Sequence, residues 1–210
     1  MLAAGYQLFT ERGYGPTTLA AVAKLAKVHV QTVHFTFQTK SALFIEVVRT
    51  YTAGEDPPRP VAQRPWMREA FDSPVALRSI ALVVEFGSEI YRSVASLMPA
   101  LVSAAQAEPS VAAFAKAVAL DRRIGMRALM TSIAAKGQLR TDRTIDQCAD
   151  IVYTLHNAET YLTLVTGFGW TVEAYKAWLY DALSEQILQP VTRLERRRAA
   201  RGLTFARRSK

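Results

Sequence analysis

The chain has 210 residues, half of them hydrophobic, which is enough material for one large or two small cores. A single cysteine, Cys148, excludes an internal disulfide and a cysteine-based zinc cluster, and three scattered histidines give no metal-ligand spacing, so neither metal nor cofactor is expected. The net charge of +8 sits at the ends, with +7 in residues 193–210 and +3 in residues 1–50, leaving the middle near −2.

No apolar run approaches the roughly 20 residues of a membrane helix, and no basic-then-apolar leader opens the chain. A cytoplasmic protein with no membrane partner is the expectation. The chain starts almost inside its first helical pattern, so further residues are expected upstream.

Residues 2–12 (LAAGYQLFTER) put Ala4, Leu8 and Phe9 on one helical face, and Gly13 follows where a helix stop favours glycine. Pro16, Thr17 and Thr18 read as the start of a second helix, with Thr17 as N-cap, running to Leu25 or Ala26. Val22, Ala23, Ala26, Val28 and Val33 are then spaced as two short helices crossing over a tight turn require. In that reading Ala23 is small at the crossing, Val28 plugs the turn and Val33 anchors the next helix. Val30, Gln31 and His34 face outward, as on a groove-reading helix. A plain helical hairpin in a bundle has the same spacing.

The residues of this stretch also carry a resemblance. From Ala4 to about Val48 the sequence LFTERGYGPTTLAAVAKLAKV, then QTVHFTF, then QTKSAL, resembles the TetR family of bacterial regulators. It departs from the family pattern at Lys27, where glycine is usual in the turn, at His29 for a Ser or Thr cap, at His34 for tyrosine and at Val33 for leucine. The resemblance implies an N-terminal three-helix DNA-binding domain (1–48) with a helix-turn-helix. Joined to it would be a helical ligand-binding and dimerisation domain (49–192), in an all-α chain of about nine helices; residues 193–210 read from their charge as a basic, disordered tail, with an auxiliary contact to DNA phosphate or to another acidic partner as the alternatives.

By chemistry, Gln31 suits an adenine edge, Thr32 a phosphate or a thymine methyl, and His34 either kind of contact. Lys40, Lys27 and the free N–H groups at Thr17 and Thr18 suit phosphate, and Val30 lies on the same face. Packing against the first helix is the competing role for His34, and the expected one for Phe35 and Phe37.

A fourth helix over 40–53 carries Leu43, Phe44, Val47, Val48 and Tyr51. Residues 54–74 hold five of the nine prolines and read as a mobile connector with a brief helical turn near Trp66–Phe71. Ser73 and Pro74 open a long central helix to Val94; Pro99 and Pro109 bracket a short one; another runs from Ser110 to Lys136, ended by Gly137. A cap at Thr141 or Asp142 starts a helix reaching about Thr166, GFGW breaks it, and Thr171 starts the last helix to Pro190.

In the resembled family the last two long helices form a four-helix dimer interface. Trp178 and Leu179, left exposed on a monomer, would form an unexplained apolar patch here. The family also binds a small molecule between its central helices and thereby loses affinity for a palindromic operator. Candidate effector-lining residues are Phe86, Glu89, Tyr91, Phe114, Tyr153, His156 and Asn157, each of which has an ordinary core or surface role as its alternative.

The expectation is a dimeric, ligand-responsive repressor with double-stranded DNA and a small-molecule effector as partners. A helical binding module without DNA binding is the alternative, and a helical enzyme is a further one. For the enzyme there is no Ser, His and acid arrangement, no phosphate-binding glycine loop and no paired carboxylates; Glu85 and Glu89 are a helical i, i+4 pair.

Overall fold

The computed structural model describes residues 1–53 and 61–207, and among them the regular structure is helical apart from one isolated antiparallel bridge between Leu139 and Leu188. The elements are α1 (Leu2–Arg12), α2 (Leu19–Ala26), α3 (Val30–Phe37), α4 (Lys40–Ala53), α5 (Pro65–Asp72), α6 (Ala76–Val94), α7 (Met98–Ala107), α8 (Pro109–Ala135), α9 (Ile145–Leu155), α10 (Ala158–Tyr161), α11 (Val172–Ile187) and α12 (Arg193–Ala199). Contacts divide the chain into two units, Met1–Pro58 with Ser93–Ala119, and Arg59–Arg92 with Leu120–Lys210. The first unit therefore takes in α4 and α7, beyond the 1–48 expected from the sequence.

The first unit is built on an apolar cluster. Leu8 and Phe9 of α1, Val22 and Ala23 of α2, Val33 of α3, Leu43, Phe44 and Val47 of α4, and Ala100 and Ala104 of α7 are all buried in it. Phe44 meets Phe9 edge-on at 4.7 Å and Tyr14 at 5.3 Å. Two long-range hydrogen bonds tie α1 and its following turn to the α7 region: Tyr6 Oη with Ser96 Oγ at 3.0 Å, and Tyr14 Oη to Glu108 Oε1 at 3.2 Å.

Capping differs from the sequence expectation in two places. The cap of α2 is Thr18, whose hydroxyl accepts the Ala21 N–H, whereas Thr17 is buried and its hydroxyl is shared between the carbonyls of Leu8 (3.2 Å) and Gly13 (2.8 Å). Two adjacent threonines compete for one cap, and the inner one is more useful closing the carbonyl end of α1. Before α9 the cap is Thr144, which forms a capping box with Gln147, and not Thr141 or Asp142.

The second unit corrects three further expectations. The brief helical turn expected near Trp66–Phe71 is present and longer, a full helix over residues 65–72 with Trp66, Met67 and Ala70 buried, so that part of the Pro-rich stretch is no loose connector; residues 54–60 lie outside the described residues. The helix expected to run to Thr166 breaks at His156 and Asn157: Asn157 caps α10 by accepting from Thr160, and a turn of π-helix, Leu162–Gly167, follows. The basic tail is folded through residue 207. Thr192 and Glu195 form a capping box for α12, Tyr180 Oη donates to Arg196 O, and Leu203 and Phe205 are buried; residues 208–210 lie outside the described ones.

The core of this unit holds charge. Lys176, 1% exposed, donates to Glu85, 5% exposed, at 3.3 Å, and pairs also with Glu89. Thr204 closes the cluster by donating its N–H (3.1 Å) and hydroxyl (2.6 Å) to the Glu85 carboxylate. Such a cluster is tolerable only because every charge in it meets a partner.

Candidate functional site

The stretch from Thr17 to Leu43 forms a helix-turn-helix. Its turn is a Schellman closure: Val28 N–H donates to Ala23 O (3.1 Å) and Lys27 N–H to Lys24 O (3.3 Å), which puts Lys27 in the left-handed region (φ 55, ψ 44). The conformation is the one glycine would favour, and a lysine there costs about 1 kcal/mol. Val28 is exposed and does not plug the turn; Ala23 and Val33 make the crossing.

At the other end of α3, Gln38 also has positive φ (61, ψ −49), and Thr39 N–H reaches back to Phe37 O at 2.6 Å in a γ-turn. Thr39 Oγ1 then accepts from Ala42 N–H at the start of α4. Both ends of the eight-residue α3 are thus fixed by special backbone, which an isolated helix of this length could not supply.

The outward face of α3 follows from helix geometry. At about 100° per residue, Phe37 lies about 40° from Val33 and Val30 about 60°, and these three face the core. Val33 is fully buried and the other two are half-buried. Gln31 and Phe35 stand about 160° and 200° from Val33, with Thr32 and His34 on the flanks. All four are exposed, Phe35 to 90%. Phe35 therefore does not pack inward as expected from its hydrophobicity. Its angle from Val33 was legible in the sequence, but its residue type argued the other way.

Lys40 is placed differently from a free surface cation. Its Nζ donates to Tyr14 O (3.0 Å) and Gly15 O (3.2 Å) and lies 4.2 Å over the Tyr14 ring, which leaves one N–H to offer. Thr17 turns its side chain away from the surface, so of the candidate DNA-facing residues Thr18, Lys27, Gln31, Thr32 and His34 are exposed, Val30 and Lys40 are half-buried, and Thr17 is buried.

The candidate effector residues do not share one cavity. Phe114 belongs to the first unit, packed on its core under the Arg49 guanidinium. In the second unit, Phe86 stacks on Trp66 at 5.4 Å, Glu89 is ion-paired with Lys176 and Arg92, and Asn157 is a helix cap. Tyr91, Tyr153 and His156 do come together. Tyr91 Oη donates to His156 O at 3.0 Å, its ring meets the imidazole edge-on at 5.0 Å, and the Arg122 guanidinium lies 4.0 Å over Tyr153. Burial, and then the neighbouring Arg122 charge, hold the His156 pKa down at about 3, so the ring is neutral. A recess of about 770 Å³ lies elsewhere in this unit, bordered by Arg78, Gln138, Leu188, Pro190, Arg198 and Arg201 among others. The sequence pointed to none of these as a site.

Trp178 is half-buried against Trp170 and Tyr175, while Leu179 is fully buried within the protomer and forms no exposed patch. Among the described residues no group of three or more His, Cys, Asp or Glu is placed to hold a metal ion, and no helix is long and apolar enough to cross a membrane.

Residues 1–47 match the family of bacterial regulatory proteins named for tetR. No curated protein sequence matches the chain. Among solved structures, the chain is similar to NalD, the secondary repressor of the MexAB-OprM multidrug efflux pump in Pseudomonas aeruginosa (17% identity, 90% of this chain and 95% of that one, TM-score 0.66). It is also similar to the fatty acid degradation regulator FadR from Bacillus halodurans (12%, 87% and 91%, TM-score 0.65). A third likeness is to SmeT, the repressor of the Stenotrophomonas maltophilia multidrug efflux pump SmeDEF (16%, 90% and 88%, TM-score 0.62). At these identities the structures speak to the fold, which is shared over nearly the whole chain, and in residues 1–47, the part that carries the helix-turn-helix, the sequence itself matches the tetR family of bacterial regulatory proteins.

Proposed function

We propose that the protein is a cytoplasmic, non-enzymatic transcriptional repressor that binds a palindromic operator as a homodimer and is released by a small molecule held in its second unit. The observation that carries this reading is the outer face of α3: Gln31, Thr32, His34 and Phe35 are exposed over an inner face locked by Val33. In the major groove Gln31 pairs with an adenine edge, Phe35 contacts a thymine methyl, and Thr32 and His34 reach bases or phosphate at the flanks. Thr18, at the N-terminus of α2, with Lys27 and the remaining Lys40 N–H, supplies phosphate contacts.

Support for the dimer comes from α9 and α11, which pack side by side and leave Ile151, Leu155 and Ala182 half-exposed along a shallow recess, the kind of surface a four-helix interface covers. NalD and SmeT, described as efflux-pump repressors, support repression as the outcome.

Selection of bound fragments from the source genome tests the reading. The expected result is an enriched palindrome, with Gln31→Ala relaxing base preference and Lys27→Ala weakening all sequences alike with a shallower salt dependence. No enrichment by a protein that still binds small molecules would replace it with a helical binding module. Sedimentation showing only monomer at micromolar concentration would remove the dimer.

A further inference from the structure

Among the buried polar atoms of the second unit that lack a hydrogen-bond partner among the described residues are His156 Nε2, Tyr175 Oη and Ser88 Oγ. Natural interiors rarely leave such atoms unsatisfied, because each costs about 1–3 kcal/mol in lost hydration. His156 and Tyr175 share their neighbours, and Ser88 lies on α6 next to the glycine that His156 rests against. Burial raises the Tyr175 phenol, and the charges next felt there are those of Tyr91, Tyr161 and Arg122. Tyr91 and Arg122 are also the partners of His156. Ser88 follows Gly87, and a Cβ on Gly87 would fall 2.2 Å from His156 Cε1. A glycine inside α6 weakens the helix by about 1 kcal/mol relative to alanine, and here it is what lets the imidazole lie against the helix.

Arg122 adds the charge. It is half-buried, Nη2 donates to the carbonyls of Tyr153 and His156, and its guanidinium rests on the faces of Tyr153 (4.0 Å) and Tyr91 (5.9 Å), close enough to act on the Tyr91 phenol. No carboxylate pairs with it among the described residues, whereas the buried Lys176 of the same unit has Glu85 and Glu89. Capping the carbonyl end of α9 uses Nη2 but leaves the charge of the guanidinium without a counter-ion among the described residues.

Resting on the regulator reading above, we infer that the effector is a small aromatic carboxylic acid, its carboxylate held by Arg122 and its ring among Tyr91, Tyr153 and Tyr175. His156 and Tyr175 supply neutral hydrogen bonds to its polar substituents. The planar guanidinium fork matches a carboxylate, and tyrosine faces match an aromatic ring. The side chains are closely packed, so the acid enters by moving the His156–Gly167 segment, where the helix already breaks and widens into a π-turn.

The test is calorimetry on the full chain with benzoate, cinnamate and 2-naphthoate against their carboxamides. At least one acid is expected to bind in the micromolar range, about tenfold or more tighter than its amide, the effect of one charged hydrogen bond. Arg122→Gln should abolish that preference and Arg122→Lys keep part of it, with circular dichroism confirming the fold. Tyr175→Phe separates a ligand role from a packing role, since removing an unsatisfied buried hydroxyl should leave stability unchanged or higher while acid affinity falls about tenfold. Binding of no acid below millimolar, amides binding as well as acids, or both Arg122→Gln and Tyr175→Phe binding like the parent overturns the inference. Operator selection is scored in parallel. Selected DNA without acid binding removes this site and keeps the regulator; acid binding without selected DNA keeps the site and removes the regulator.

Discussion

The two units bury different chemistry. In the first, the interior is aliphatic and aromatic, and its one buried threonine, Thr17, has its hydroxyl shared between two carbonyls. In the second, the interior contains a lysine, a glutamate, a histidine and buried serines, some of them without partners among the described residues. A purely apolar, well-satisfied core suits a part that must present a short helix in one orientation, since such packing has a single good arrangement. Buried polar groups are sensitive to what surrounds them, and they suit a part that must answer to a ligand.

The largest expected effect tests the charged core. Lys176→Met should lower unfolding free energy in urea by about 3–5 kcal/mol, because Glu85 is left buried without its cation, and adding Glu85→Gln should recover much of the loss. Equal stability of the single variant and the parent would mean that the pair is hydrated. Of similar size in the apolar core, Phe44→Ala should cost about 3–5 kcal/mol through the cavity left among Phe9, Tyr14 and Leu43.

His156 separates the units by pH. Its folded pKa of about 3 lies below the unfolded value near 6.5, so the unfolded chain binds the extra proton between these values. Stability should therefore fall as pH drops from about 6.5 towards 3, and His156→Gln should flatten that slope in urea titrations at pH 7 and pH 5. An unchanged slope would assign acid sensitivity to other groups.

The smallest stability effect belongs to the reading surface. Phe35→Ala should change unfolding free energy by less than about 0.5 kcal/mol, as for other solvent-facing substitutions, while operator affinity falls measurably. A large loss of stability would show the ring to be packed after all.

The difference between the units also explains what the sequence disclosed. In the first unit, Leu8, Val22, Ala23, Val33 and Leu43 recur at helical spacing and dominate the core, so spacing alone located α1 to α4 and the turn at Lys27. It failed at Phe35 and Thr17, where residue type and position disagreed, and at Val28, which lies exposed instead of plugging the turn. In the second unit the elements were legible as helices, but the break at His156 was not. It rests on a long-range fit, the imidazole against Gly87 and its carbonyl against Arg122, that no local pattern encodes. The folded tail was hidden for the same reason: Thr204 and Phe205 are fixed by Glu85 and Tyr180, more than a hundred and about 25 residues away in sequence. Arg122 was overlooked because a cation on a long helix usually faces water.

The positive-φ residues Lys27 and Gln38 hold α3 by its ends, and Val33 holds it from beneath. Holding the helix this way leaves Gln31, Thr32, His34 and Phe35 free of folding duties. Those four letters can be rewritten without redesigning the scaffold, so a library varied at these positions alone should yield stably folded proteins addressed to different DNA sequences, and divergence in target need leave little trace in the core.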